Sequence, residues 1–139
     1  MHITLEADYA VRIVEFLTVS KNRQDAGTIS KETNVPLRFS LKILRKLVAS
    51  GIVKSYKGAK GGYTLNKDSS EITLREVIES VEGEYVLSRC LHDKYDCGNK
   101  YCRFYEIYND ISAMVREKLD EFTFDMIKEK KEKCKKCNL

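Results

Sequence analysis

Apolar residues recur along the first third of the chain at spacings of three and four, the period that gathers side chains on one side of a helix. Between Ala7 and Val19 the residues Ala10, Val11, Ile13, Val14, Phe16 and Leu17 make a broad apolar face and predict a helix. Gly27-Thr28 opens a shorter helical stretch, Ile29 to Thr33, which stops before Val35-Pro36. Pro36 is the chain's one proline. Its missing N–H would lie unpaired in the first turn of a helix anyway, so it marks the start of a third helix. That helix spans about Leu37 to Ser50, with Leu37, Leu41, Leu44, Leu47 and Val48 expected to face the core. Arg38, Lys42, Arg45 and Lys46 fall on the other side, and Gly51 ends it.

The period then changes. Ile52–Lys57 and Gly62–Asn66 read as short strands flanking the turn Gly58-Ala59-Lys60-Gly61, a β-hairpin. Thr73-Leu74-Arg75-Glu76 has the spacing of a capping box and starts a helix to about Glu82. Gly83 to Tyr101 holds no sustained period and predicts an irregular loop. From Arg103, the residues Ile107, Ile111, Met114, Val115, Leu119, Phe122 and Met126 recur as the seam of a long helix that packs on another helix. Lys128–Lys136 is almost wholly charged and predicts a frayed tail. The result is a mainly α fold with a small β-hairpin wing. A winged helix-turn-helix is expected at 1–83, a cysteine-rich loop at 84–102, a dimerisation helix at 103–132 and a flexible tail with a Cys-x-x-Cys at 133–139.

Charge sharpens this picture. Thr33–Lys67 carries eight Lys or Arg and no Asp or Glu, whereas the remainder has 17 basic against 21 acidic residues. A localised positive field of that kind suits a polyanion better than a lipid surface, because no amphipathic apolar face is left over to enter lipid. Short helix, turn, basic amphipathic helix and hairpin is the order of a winged helix-turn-helix, whose second helix buries one face and offers the other to the major groove. Arg38, Lys42 and Arg45 stand at i, i+4 and i+7 on the exposed face, and Ser40 is short enough to hydrogen-bond a base edge or phosphate. Lys54, Lys57 and Lys60 put further charge on the hairpin, where a wing would meet the DNA backbone or minor groove. No charge-free run is long enough to span a bilayer, the longest being Leu47 to Val53. Acidic residues among the first fifteen argue against a secretory signal, so the expected location is cytoplasmic, where thiols stay reduced.

Cys90-x6-Cys97-x4-Cys102 sets three thiols within thirteen residues, just downstream of the basic segment. Thiolates suit iron–sulfur cores or zinc, and three of them leave one coordination site to another donor. Two other readings stand beside a metal centre: a metal-free thiol switch, and small buried apolar residues. Cys134-Lys-Lys-Cys137 is half a zinc site in a lysine-rich tail and reads as redox-labile rather than as a ligand pair. Catalysis finds little to work with. His2 and His92 are the only histidines, and the glycines at 58–62 lie in a hairpin turn rather than between strand and helix. A small electron-transfer protein is the other class to weigh, but it would have no use for the basic segment.

Asp8-Tyr9-Ala10, Leu44-Arg45-Lys46-Leu47 with Gly51-Ile52-Val53, and Lys57-Gly58-Ala59-Lys60-Gly61-Gly62-Tyr63 resemble the IscR- and NsrR-type (Rrf-type) family of bacterial winged-helix repressors. The similarity covers nearly the whole chain, and the Gly-x-x-Gly-Gly-Tyr wing is its most specific part. What the resemblance implies is a homodimeric transcription factor on a pseudo-palindromic double-stranded DNA operator. It further implies an iron–sulfur cluster (2Fe-2S or 4Fe-4S) on Cys90, Cys97 and Cys102, responding to redox state, nitric oxide or iron–sulfur status. The family's cysteines are spaced five and five rather than six and four, with the same outer span. Where the IscR branch has a His ligand this chain has Tyr105, and where the NsrR branch has an Asp from the other subunit it has Asp8. Asp8 is therefore the expected fourth ligand, with Glu6 and His92 behind it. Leu41 stands where some members carry Glu, and Lys57 where many carry Arg, so the operator sequence does not carry over.

Overall fold

Among the described residues, three of the five α-helices start at a side-chain oxygen that accepts a backbone N–H left free in the first turn. In the computed structural model, which describes residues 2–127, α1 (Leu5–Val19) is capped by Thr4, which accepts from the Ala7 N–H at 3.3 Å. Asp25 caps α2 (Ala26–Thr33) through the Thr28 N–H at 3.0 Å. Thr73 caps α4 (Leu74–Glu82) through the Glu76 N–H at 3.1 Å. The Glu76 carboxylate does not close the capping box; it pairs with Lys67. Between them, α3 (Leu37–Ala49) begins behind Pro36 with no side-chain cap, and β1 (Val53–Tyr56) and β2 (Gly62–Leu65) form the hairpin. α5 (Tyr105–Asp120) follows a long loop. Thr4 and Asp25 explain why α1 and α2 start earlier than the apolar period suggests.

α1 is the central element, in contact with α2, α3 and α4. Ala7, Ala10, Ile13, Val14 and Leu17 meet Ile29 of α2, Ile43, Leu44 and Leu47 of α3, and Val77, Ile78 and Val81 of α4 in one buried cluster. The inward face of α3 is rotated from the expected one. Ser40 and Ile43 are buried, whereas Leu37 is exposed and Leu41 only half-buried. The architecture is a winged helix-turn-helix carrying one further helix, and no described helix is long and apolar enough to cross a membrane.

The expected long C-terminal helix is shorter. α5 stops at Asp120, and the chain turns back onto the head of the domain. The Leu74 N–H donates to the Phe122 carbonyl at 2.8 Å, and the Phe124 N–H to the Ile72 carbonyl at 3.1 Å. Thr73 and Thr123 form an antiparallel bridge, and Arg75 holds Asp120 at 2.9 Å. Phe124 thereby enters the core, 1% exposed, while Phe122 and Met126 lie beyond the end of α5 and are exposed. The expected tail and the Cys134–Cys137 pair lie outside the described residues.

The hairpin has a third partner. Gln24, in the α1–α2 loop, exchanges both backbone hydrogen bonds with Tyr63, at 3.1 and 2.8 Å. Gly62 sits at φ +144°, and a Cβ there would lie 2.8 Å from the Gln24 carbonyl oxygen. A Cβ on Gly61 would lie 2.5 Å from the Tyr56 carbonyl oxygen. Gly62 is thus a steric requirement of the junction with Gln24, and Gly61 of the hairpin turn itself. Gly62→Ala is expected to cost about 1–3 kcal/mol, measured by urea unfolding; a variant as stable as the parent would remove the steric account.

Candidate functional site

The outward row of α3 is Arg38, Lys42 and Arg45, all exposed. With Leu37, Phe39 and Leu41 they line a shallow cleft of about 680 Å³. Ser40 is not part of this surface. It is fully buried, and its hydroxyl donates to the Val35 carbonyl at 3.2 Å, beside the Ser30 hydroxyl, which donates to the same oxygen at 2.7 Å. The expectation that Ser40 reads DNA is therefore corrected: one helical step from Phe39 turns it inward, where it braces the α2–α3 turn.

On the wing, Lys54, Lys57 and Lys60 are exposed, as expected. Arg23 was not expected there. Its guanidinium lies 3.5 Å from the centroid of the Tyr56 ring and donates to the Lys60 carbonyl at 3.4 Å. The wing is thereby tied by cation–π contact and backbone bridge to the loop that precedes α2. Nothing in the local sequence marks Arg23, because its partner lies more than thirty residues away.

A polar node links three helices behind the cationic row. Glu6 of α1 accepts from Lys42 and, at 3.0 Å, from Lys46, and Lys46 also donates to the Val81 carbonyl of α4 at 2.8 Å. These bonds, first from Lys42 and then from Lys46, hold the Glu6 carboxyl below its ordinary value. The Thr4 hydroxyl donates to Glu82, the last residue of α4. Lys42 thus has an internal carboxylate partner, which charge counting along the chain does not reveal.

The thiol loop leaves α4 directly after Glu82. Its first part is docked on α5: Arg116 donates to the Tyr85 carbonyl at 2.9 Å, and the Leu87 N–H donates to the buried Ser112 hydroxyl at 2.8 Å. Beyond it, residues 92–100 are all exposed. Cys90 is half-buried, with its thiol 3.3 Å from the Ser88 hydroxyl, Cys97 is exposed, and Cys102 is half-buried; all three are free. Two short side-chain turns shape the tip, Asp96 accepting from the Gly98 N–H at 2.7 Å and Asn99 from the Tyr101 N–H at 3.2 Å. Among the described residues, no group of three or more His, Cys, Asp or Glu is placed to hold a metal ion. Cys90, Cys97 and Cys102 are thus not gathered into such a group, and Asp8, expected to act from the other subunit, pairs in its own chain with Arg12 at 2.7 Å. In kind the donor set still fits an iron–sulfur group: three free thiols on one loop whose exposed tip contributes nothing to the core.

A sequence model of the Rrf2 family, described as an iron-dependent transcriptional regulator, matches residues 3–130. The HTH-type transcriptional regulator IscR of Photobacterium profundum is 29% identical over 128 residues, 88% of this chain and 73% of that protein. IscR of Pectobacterium atrosepticum is 27% identical over 95% of this chain and 82% of its own length. Among solved structures, T. potens IscR superposes with a TM-score of 0.73 at 21% identity, covering 93% of this chain and 88% of that one. CymR, the global cysteine regulator of B. subtilis, gives 0.70 at 24% identity, covering 90% and 94%. These likenesses support the winged-helix fold.

Glu6→Gln releases Lys42 to a phosphate and is expected to steepen the salt dependence of log DNA affinity by about 0.9, read by fluorescence anisotropy across a KCl series. An unchanged slope would mean that Lys42 stays off the DNA. In the parent, the ion pairs of Glu6 persist above the ordinary carboxylate range and are lost as pH falls through its lowered value. Acid sensitivity of the salt slope should therefore disappear in the same variant.

Proposed function

The chain belongs to the Rrf2 family of transcriptional regulators, DNA-binding proteins and not enzymes, and from that premise we propose that it is a homodimeric repressor whose operator affinity is set by an iron–sulfur cluster. The observation that carries the DNA half is the outward row Arg38, Lys42 and Arg45, continued on the wing by Lys54, Lys57 and Lys60. Support for a dimer comes from α5, where Ile107, Ile111 and Met114 lie open to solvent, Met114 at 68%. A second α5 would cover them and set two recognition helices about one helical turn of DNA apart. Val115 and Leu119, also on the expected seam, are half-buried instead, with Leu119 packed on the core.

Cys90, Cys97 and Cys102 would hold the cluster, with Asp8 of the partner subunit as fourth donor. When bound, the cluster supplies a group whose integrity and charge respond to redox state, nitric oxide or iron–sulfur supply. The chain's own residues offer the route to DNA. Closing the loop tip pulls on the segment between Glu82 and Leu87, anchored at Tyr85 and Leu87 on α5. Glu82 meets Thr4, and Val81 holds Lys46 of the recognition helix, so a shift there changes how α3 is seated.

The open placement of the thiols favours one second reading: a metal-free switch of the same fold in which exposed Cys97 is oxidised. Anaerobic purification with iron and sulfide counts and a visible spectrum separates the two. A coloured protein that loses colour and operator control in Cys97→Ala is expected; a colourless, iron-free protein that releases DNA only on thiol oxidation would establish the second reading instead. Met114→Glu is expected to split the dimer in sedimentation velocity and to weaken operator binding at least tenfold, because two half-sites no longer act together.

A further inference from the structure

Three of the six residues lining the cleft on α3 carry no polar group: Leu37, Phe39 and Leu41. Phe39 has a partner, since its ring meets Tyr9 edge-on at 5.8 Å. Leu37 and Leu41 have none in the core cluster; Leu37 is 49% exposed and Leu41 half-buried, one helical turn apart. Their row runs beside Arg38, Lys42 and Arg45, one helical step away. The three cations select a polyanion as occupant of this surface, which argues against lipid or an apolar peptide. With Ser40 turned inside, the first two turns of α3 offer a duplex Leu37, Arg38, Leu41 and Lys42, together with the edge of the Phe39 ring that Tyr9 leaves open. In the major groove an apolar side chain finds a specific partner in the C5-methyl group of thymine.

We propose that Leu37 and Leu41 read thymine methyl groups in each operator half-site, so that sequence preference rests in part on apolar contact beside the hydrogen bonds and phosphate contacts of the cationic row. The proposal rests on the DNA-binding reading above and gives it a base preference. It is tested with the full-length protein and duplexes selected from a random pool. Each thymine of the preferred duplex is replaced in turn by deoxyuridine, which deletes the methyl group and leaves every hydrogen-bonding atom in place.

We expect about a fourfold loss of affinity per contacted methyl group, at symmetry-related positions of the two half-sites. In L37A and L41A the loss should vanish at the thymine each residue contacts, while the variants keep the parent's melting behaviour because both positions are outside the core. Selective binding that tolerates deoxyuridine everywhere overturns the proposal alone, as does uracil sensitivity that persists undiminished in both variants. Failure to select any preferred duplex counts against the operator reading itself, and the proposal falls with it.

Discussion

Burial of one side of α1 decides where the cationic row points. Five residues of that helix, from Ala7 to Leu17, are nearly inaccessible to water, and α3 docks on them through Ile43, Leu44 and Leu47. Each such Ile or Leu side chain contributes on the order of 1.5–3 kcal/mol, whereas ion pairs open to water are weakened by solvent screening. The apolar contacts therefore set the rotation of α3, and the Glu6 pairs with Lys42 and Lys46 only trim it. Once Ile43 and Leu44 face inward, the 3.6-residue period leaves Arg38, Lys42 and Arg45 outside. The electrostatics of the surface are a consequence of the core.

What could be read from the chain follows from the range of each interaction. The apolar period, the change from helical to strand spacing and the hairpin glycines are local, and α1 to α4, the strands and the wing lie close to where those signals put them, whereas α5 ends at Asp120. The inward face of α3 lies one step from the one its leucines mark, because hydrophobicity alone does not tell which leucine meets α1. The structure prefers Ile43 and Ser40 inside and leaves Leu37 in water. Phe124 and Arg23 were illegible for a different reason. One is drawn in by backbone bonds to Ile72, the other by a ring in the hairpin, and no periodicity encodes such distant partners.

The thiol loop marks the same boundary on the chemical side. Cysteine spacing names a donor set, and the sequence can say which atoms suit iron or zinc. It does not say where an irregular segment will place them. Here the segment stays against α5 as far as the turn at Arg89–Leu91 and is shaped beyond that by turns of its own, so Cys90, Cys97 and Cys102 each take a separate local environment. The stem is tied to α5 at Tyr85 and Leu87, and the tip at 92–100 is open to solvent.

The two backbone bonds between Gln24 and Tyr63 have a mechanical corollary. Hairpin and helix-turn-helix are stitched into a single jaw, so the hairpin cannot swing independently to accommodate a mis-set duplex. In the proposed dimer, any adjustment of the gap between two such jaws would fall to the place where the subunits meet, as the opening of a calliper is set at its screw and not at its tips.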